Sequence, residues 1–196
     1  MRPQIAVLVS GGGTNLQALI DAGDLGGDIA LVVSSVEGAY ALNRAESVGI
    51  KTAVLLKRGV KQLEYSALLA EFLTEQKIDL VVLAGFLVVL QAPMLAAFPD
   101  KIVNVHPSLI PSFCGDGYYG LKVHEEAIAR GVKITGATVH LVNEITDGGR
   151  ILFQEPVAVL PGDTPQELQR RVMEEAEWLI LPKAVKMLCR NFDSKL

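Results

Sequence analysis

The residues best equipped for chemistry lie in a few short segments of this 196-residue chain, and each segment offers a different kind of group. Gly11-Gly12-Gly13 runs directly into Thr14 and Asn15. A glycine run between an apolar strand and a helix lets backbone N–H groups and the helix dipole face an anion. It has neither the G-x-G-x-x-G spacing of dinucleotide sites nor a Walker lysine, so a phosphate monoester fits it better; read as structure alone it is a tight strand–helix turn. Asn104-Val105-His106-Pro107 ends a short apolar run. Residues two apart on a strand project together, which sets an amide beside an imidazole, both able to donate to an oxyanion. Asp147 opens Asp-Gly-Gly, a turn when read alone, yet a carboxylate that could pair with an imidazole or accept a proton. Glu174 and Glu177 lie three apart in a helical stretch and share a face, which alone reads as a solvated acidic surface.

The other reactive side chains carry plainer expectations. His140 alternates with apolar neighbours and reads as structural, and His124 reads as a surface or packing residue of a helix. Cys114 and Cys189 are expected to be inert thiols without a disulfide between them. No His, Cys or carboxylate cluster has metal-ligand spacing, and no Gly-x-Ser-x-Gly elbow occurs, so neither a metal nor a nucleophilic serine is expected.

The scaffold that would position these groups follows from hydropathy. Apolar runs at 5–9, 29–33, 52–55, 80–83 and 102–105 alternate with helical patterns at 15–22, 40–48 and 64–76. In the last of these, Leu68, Leu69, Phe72 and Leu73 fall at helical spacing. Runs that are apolar on both parities imply burial on both faces of a parallel sheet. The alternation predicts an α/β fold, a doubly wound, mostly parallel sheet with helices on both faces. Open sheets of this kind bind ligands at the carboxyl ends of their strands, where Asn104 and His106 fall. Beyond a helix at 121–130 come longer strands at 133–142 and 151–159, with 143–150 able to turn a hairpin. Thr164-Pro165-Gln166-Glu167 is a capping box that opens a helix running towards Arg190, with a kink or break expected near Pro182.

Composition removes several classes of function. Half of the residues are hydrophobic and 20% are charged, which excludes disorder. Eighteen Lys and Arg against 22 Asp and Glu give a net charge of −4, against the basic face that nucleic-acid binding usually needs. The first apolar run is too short for a signal sequence and ends in glycines, and no run approaches the roughly 20 residues of a membrane span. A cytoplasmic globular protein is expected, with no linker dividing residues 1–196 into separate domains.

Taken in order, Ser10-Gly11-Gly12-Gly13-Thr14-Asn15-Leu16-Gln17, Leu83-Ala84-Gly85-Phe86, Asn104-Val105-His106-Pro107-Ser108-Leu109-Ile110-Pro111 and Thr138-Val139-His140 with Asp147 closely resemble the phosphoribosylglycinamide formyltransferases. The resemblance spans essentially the whole chain. It implies transfer of a formyl group from 10-formyltetrahydrofolate to the amine of glycinamide ribonucleotide, a step of de novo purine biosynthesis, by direct attack through a tetrahedral intermediate. It further implies a formyltransferase-type fold with a nucleotide-phosphate half over about residues 1–100 and a folate and catalytic half over about 101–196. By the same resemblance Gly13, Thr14 and Asn15 hold the phosphate, and Glu174 and Glu177 reach the ribose or glycinamide. Leu87, Val88, Val89 and Leu90, with Val142, Asn143, Glu144 and Ile145, line the reduced-folate site. Asn104, His106 and Asp147 form the catalytic set, and a homodimer is left open.

Several positions depart from the family pattern. Gly12 stands where Asn or Ser is common, and Val88 and Gln62 stand where some members carry an arginine near the folate. Trp178 and Leu181 replace a His and a Tyr often found before the helix proline. The glycine-containing segment 113–120 is longer than the shortest family loops and is a candidate flap. Transfer to methionyl-tRNA, the nearest alternative, would call for a basic surface and a second RNA-contacting domain. Hydrolysis of the formyl donor would call for a regulatory domain, and a ligand-binding module would not need the Asn, His and Asp.

Overall fold

The computed structural model describes residues 2–192, so the ends of the 1–196 span read above, residue 1 and residues 193–196, lie outside the described residues. Short runs rich in Val, Leu and Ile form the strands β1 (Gln4–Val9), β2 (Asp28–Ser34), β3 (Lys51–Val54), β4 (Leu80–Leu83), β5 (Ile102–His106), β6 (Ile134–Leu141) and β7 (Ile151–Ala158). Between and after them lie α1 (Thr14–Asp21), α2 (Tyr40–Ser47), α3 (Gln62–Glu75), α4 (Ala92–Ala97), α5 (Leu121–Arg130), α6 (Pro165–Val172) and α7 (Trp178–Arg190). One seven-stranded sheet has the order β3-β2-β1-β4-β5-β6-β7; neighbours from β3 to β5 are parallel, and β6 and β7 are antiparallel. This is the mostly parallel α/β sheet that the alternation predicted.

Strand parity sorts the core into two layers. Ile5, Val7 and Val9 of β1 pack with Leu16, Leu19, Leu168 and Ile180 on one face. Ala6 and Leu8 pack with Tyr65, Leu69, Leu73 and Met94 on the other. A strand apolar at both parities can satisfy both layers, so the central strands need no polar face. β5 ends at His106 beside β6, and the antiparallel pairing sets Asn104 opposite His140.

Two features differ from the sequence expectation. Helix α4 is absent from it: six residues with a proline at the start show too little periodicity to read. The long C-terminal helix is interrupted at Met173–Glu177, a π-helical segment, while Pro182 lies inside α7. The π segment carries one residue more per hydrogen-bonded turn than an α-helix, so it shifts the register of everything after it. Glu174 and Glu177 therefore do not share a face: Glu174 is exposed and Glu177 is buried. The capping box at Thr164 forms as expected, with Glu167 N–H donating to the Thr164 hydroxyl and the Glu167 carboxylate accepting from Thr164 N–H.

Candidate active site

At the first strand end, Gly13 adopts a left-handed φ of 73° and serves as the N-cap of α1, with no side-chain cap and no acidic residue in the first turn. The glycine is required there. A Cβ would meet the Cβ of Ala41 at 2.6 Å and its Cα at 2.8 Å. The helix start thus keeps its N–H groups free of any side-chain cap, the arrangement that suits an external anion. Thr14 Oγ1 donates to Met173 Sδ at 3.8 Å, and the buried Asn15 donates from Nδ2 to Glu177 Oε2 at 2.6 Å. Burial pushes the Glu177 carboxyl above the usual carboxylate range, and the Asn15 amide only partly offsets this.

A cavity of about 560 Å³ extends from Asn15 and Glu177 across the ends of β4 and β5. One wall is Leu87, Val88, Val89 and Leu90; Val142, Asn143 and Ile145 face it from the β6–β7 hairpin. Gly13 and Thr14 stand just outside its lining, and so do the exposed Glu144 and Glu174. Glu144 is turned to solvent at the hairpin tip, and Glu174 is carried away by the π segment.

Asn104, His106 and Asp147 all line this cavity. His106 is buried, with Nδ1 3.4 Å from Asp147 Oδ2 and Nε2 2.9 Å from the Phe113 carbonyl. A carbonyl can only accept, so Nε2 carries the proton. Burial pushes the His106 imidazole below its ordinary value, and the Asp147 charge and the Phe113 carbonyl oppose this without reversing it. The ring therefore rests neutral, and Asp147 does not keep it protonated in this state. Asp147 itself is pushed up by burial. The His140 contact and the N–H of Gly115, which donates to Oδ2 at 2.9 Å, outweigh burial and hold the carboxyl below its usual range. It occupies the left-handed region at φ 56°, which Asp tolerates better than most residues.

Two further histidines belong to this cavity. His140 Nδ1 lies 2.8 Å from the Leu141 carbonyl and donates to it, and its Nε2 lies 3.2 Å from Asn104 Nδ2. The same Nε2 is 3.5 Å from Asp147 Oδ1. Sequence reading treated His140 as structural because nothing local shows that β6 pairs antiparallel with β5; parity within Thr138-Val139-His140 and that pairing together would have found it. His124, expected as a surface or packing residue, is fully buried, lines the cavity, and neither ring nitrogen has a hydrogen-bond partner among the described residues. Burial lowers it to about 4. The segment after Phe113 covers the cavity: Gly115 to Gly120 line it, and Asp116 accepts from Thr146 Oγ1 at 3.0 Å. Cys114 and Cys189 are both free thiols.

Comparison with known proteins shows the family to which the chain belongs. Residues 3–185 match the formyl transferase family model. The phosphoribosylglycinamide formyltransferase of Haemophilus influenzae is 41% identical over 187 residues, covering 93% of this chain and 85% of that protein. The chloroplastic phosphoribosylglycinamide formyltransferase of Arabidopsis thaliana is 37% identical over 195 residues, covering 97% of this chain and 66% of that protein. The crystal structure of glycinamide ribonucleotide transformylase 1 from Symbiobacterium toebii superposes with a TM-score of 0.90 at 40% identity, covering 97% of this chain and 89% of that one. This chain belongs to the formyl transferase family, among the phosphoribosylglycinamide formyltransferases.

Proposed function

We propose that this protein is a cytoplasmic enzyme that transfers the formyl group of 10-formyltetrahydrofolate to the amine of glycinamide ribonucleotide, in de novo purine biosynthesis. Residues 1–196 act as one domain in this reading, with the ribonucleotide held towards the first half and the folate and chemistry in the second. The observation that carries it is the convergence of a neutral amide, a neutral imidazole and an ionised carboxylate on one cavity whose facing walls are apolar.

The division of labour follows from these groups. The uncapped start of α1, with Gly13, Thr14 and Asn15, receives the phosphate, and Glu177 at the same end reaches the ribose or glycinamide. Leu87 to Leu90, Val142, Asn143 and Ile145 seat the reduced folate, whose ring presents a flat apolar face to them. Attack of the amine on the formyl carbon places negative charge on the formyl oxygen. Asn104 Nδ2–H and His106 Nε2–H donate to it, the oxyanion replacing the Phe113 carbonyl as the His106 acceptor. Each such donor contributes about 2.7–4 kcal/mol of barrier lowering. His140 fixes the Asn104 amide, and Asp147, ionised and close to both rings, takes the amine proton and returns it, directly or through water, to N10 of the folate as the intermediate collapses, the C–N10 bond breaks and tetrahydrofolate leaves. The attack needs no protein nucleophile.

The test follows folate absorbance with 10-formyltetrahydrofolate and three acceptor conditions: glycinamide ribonucleotide, no acceptor, and methionyl-tRNA. Turnover only with glycinamide ribonucleotide is expected. Equal turnover without acceptor would make the protein a hydrolase, turnover with the tRNA would move the acceptor, and none at all would leave a binding module.

A further inference from the structure

The glycine loop is held by more than its own turn. The Gly11 carbonyl accepts from Ala41 N–H at 3.1 Å, the Gly12 carbonyl from Arg44 Nε at 2.9 Å, and the Gly13 carbonyl from Gln17 N–H at 2.9 Å. Two of these three donors belong to α2, and the third to α1. The peptides here are trans, so each carbonyl fixes the following N–H on the opposite side. The N–H groups of Gly12, Gly13 and Thr14 are thereby aimed away from the elements that hold their carbonyls.

Arg44 is the one side chain in this set. Its guanidinium uses Nε on Gly12 and one terminal nitrogen, 3.0 Å from Gln17 Oε1, on α1. It lies over the Tyr40 ring, 5.1 Å from the centroid, and its Cδ sits 3.4 Å from where a Gly13 Cβ would stand. Among the described residues it forms no ion pair, although it is half-buried on an acidic protein. A planar fork that ties a loop carbonyl to the neighbouring helix suits arginine and is not reproduced by lysine.

We propose that Arg44 is a positioning residue for the acceptor's phosphate: its fork locks the Gly12 peptide so that the loop N–H groups are preset for a phosphate monoester. The proposal rests on the reading that this loop binds the phosphate of glycinamide ribonucleotide. Arg44 acts through the loop, so its effect falls on the phosphate-bearing acceptor and on neither the formyl donor nor the chemical step.

The test compares glycinamide ribonucleotide with its dephosphorylated riboside as acceptors for the full-length enzyme and for Arg44→Gln and Arg44→Lys. Losing a hydrogen bond from a charged group should raise KM for the ribonucleotide about tenfold or more. In the same variants kcat, KM for the formyl donor and KM for the riboside should stay within about twofold, a scatter that corresponds to well under 1 kcal/mol. Arg44→Lys keeps the charge without the fork and should behave like Arg44→Gln. Wild-type enzyme that uses both acceptors with equal KM would remove the phosphate reading itself. A wild-type preference for the ribonucleotide that both variants retain would overturn the role of Arg44 and leave the phosphate reading standing. Full rescue by lysine would overturn the fork in favour of charge alone, and a parallel fall with the riboside would reduce Arg44 to a general structural residue.

Discussion

The start of α1, just outside the cavity, and the end of β5 within it are built on opposite principles. At the α1 end the backbone supplies the proposed contacts: Gly11 and Gly12 are exposed, and what matters is where peptide groups point. At the β5 end the contacts come from buried side chains brought together by β5, β6 and the hairpin loop, with His106, His140 and Asp147 enclosed. A phosphate is already charged in the ground state and needs fixed N–H donors that remain the same throughout the reaction. An oxyanion appears only in transit, and donors aimed at it are worth most in a water-poor setting. Damage at the first end should therefore appear in KM and damage at the second in kcat.

The largest effect should come from Asp147→Asn, which keeps the size of the side chain and removes its ability to accept a proton. A loss of roughly 10²–10⁴ in kcat is expected, with KM for glycinamide ribonucleotide nearly unchanged. Steady-state kinetics on the purified variant checks it, and near wild-type kcat would reduce Asp147 to a turn residue. Next, Gly13→Ala forces a Cβ into a left-handed position 2.6 Å from Ala41 Cβ. KM for the ribonucleotide should rise about tenfold and stability should fall by about 1–2 kcal/mol, the ordinary penalty for that backbone region. A Gly13→Ala enzyme with unchanged KM would detach the loop from the phosphate.

A smaller effect is expected from His124, and it concerns stability and pH. Its folded value of about 4 lies below the ordinary 6.5, so between these values the unfolded chain binds a proton that the folded chain refuses. The contribution of the neutral ring is complete above about pH 6.5 and is lost as pH falls towards 4. Chemical denaturation across that window should show His124→Phe keeping stability, on the order of 3 kcal/mol, that the wild type loses. Parallel curves for the two proteins would show that His124 is not held neutral by burial.

These two ends also differed in how far the sequence could be read. The glycine loop announces itself because its chemistry is local, a run of Gly between an apolar strand and a helix. Asn104 and His106 could be paired by strand parity alone. His140 could not, because its partner lies 36 positions away across an antiparallel pairing that no local pattern specifies. The split between Glu174 and Glu177 was hidden for another reason: a π segment inserts its extra residue without any breaker at that point, and Pro182 drew the expected irregularity to the wrong turn. The Phe113 carbonyl that occupies His106 is backbone, so no residue type advertises it.

Asn104 and His106 act together on one developing oxyanion. A double-mutant cycle on kcat with saturating glycinamide ribonucleotide tests it most directly. Asn104→Ala and His106→Ala should each lower kcat by about 10²–10³ while KM for the ribonucleotide changes little, and the double variant should lose less than the product of the two. Fully multiplicative losses, or losses carried by KM instead of kcat, would contradict it.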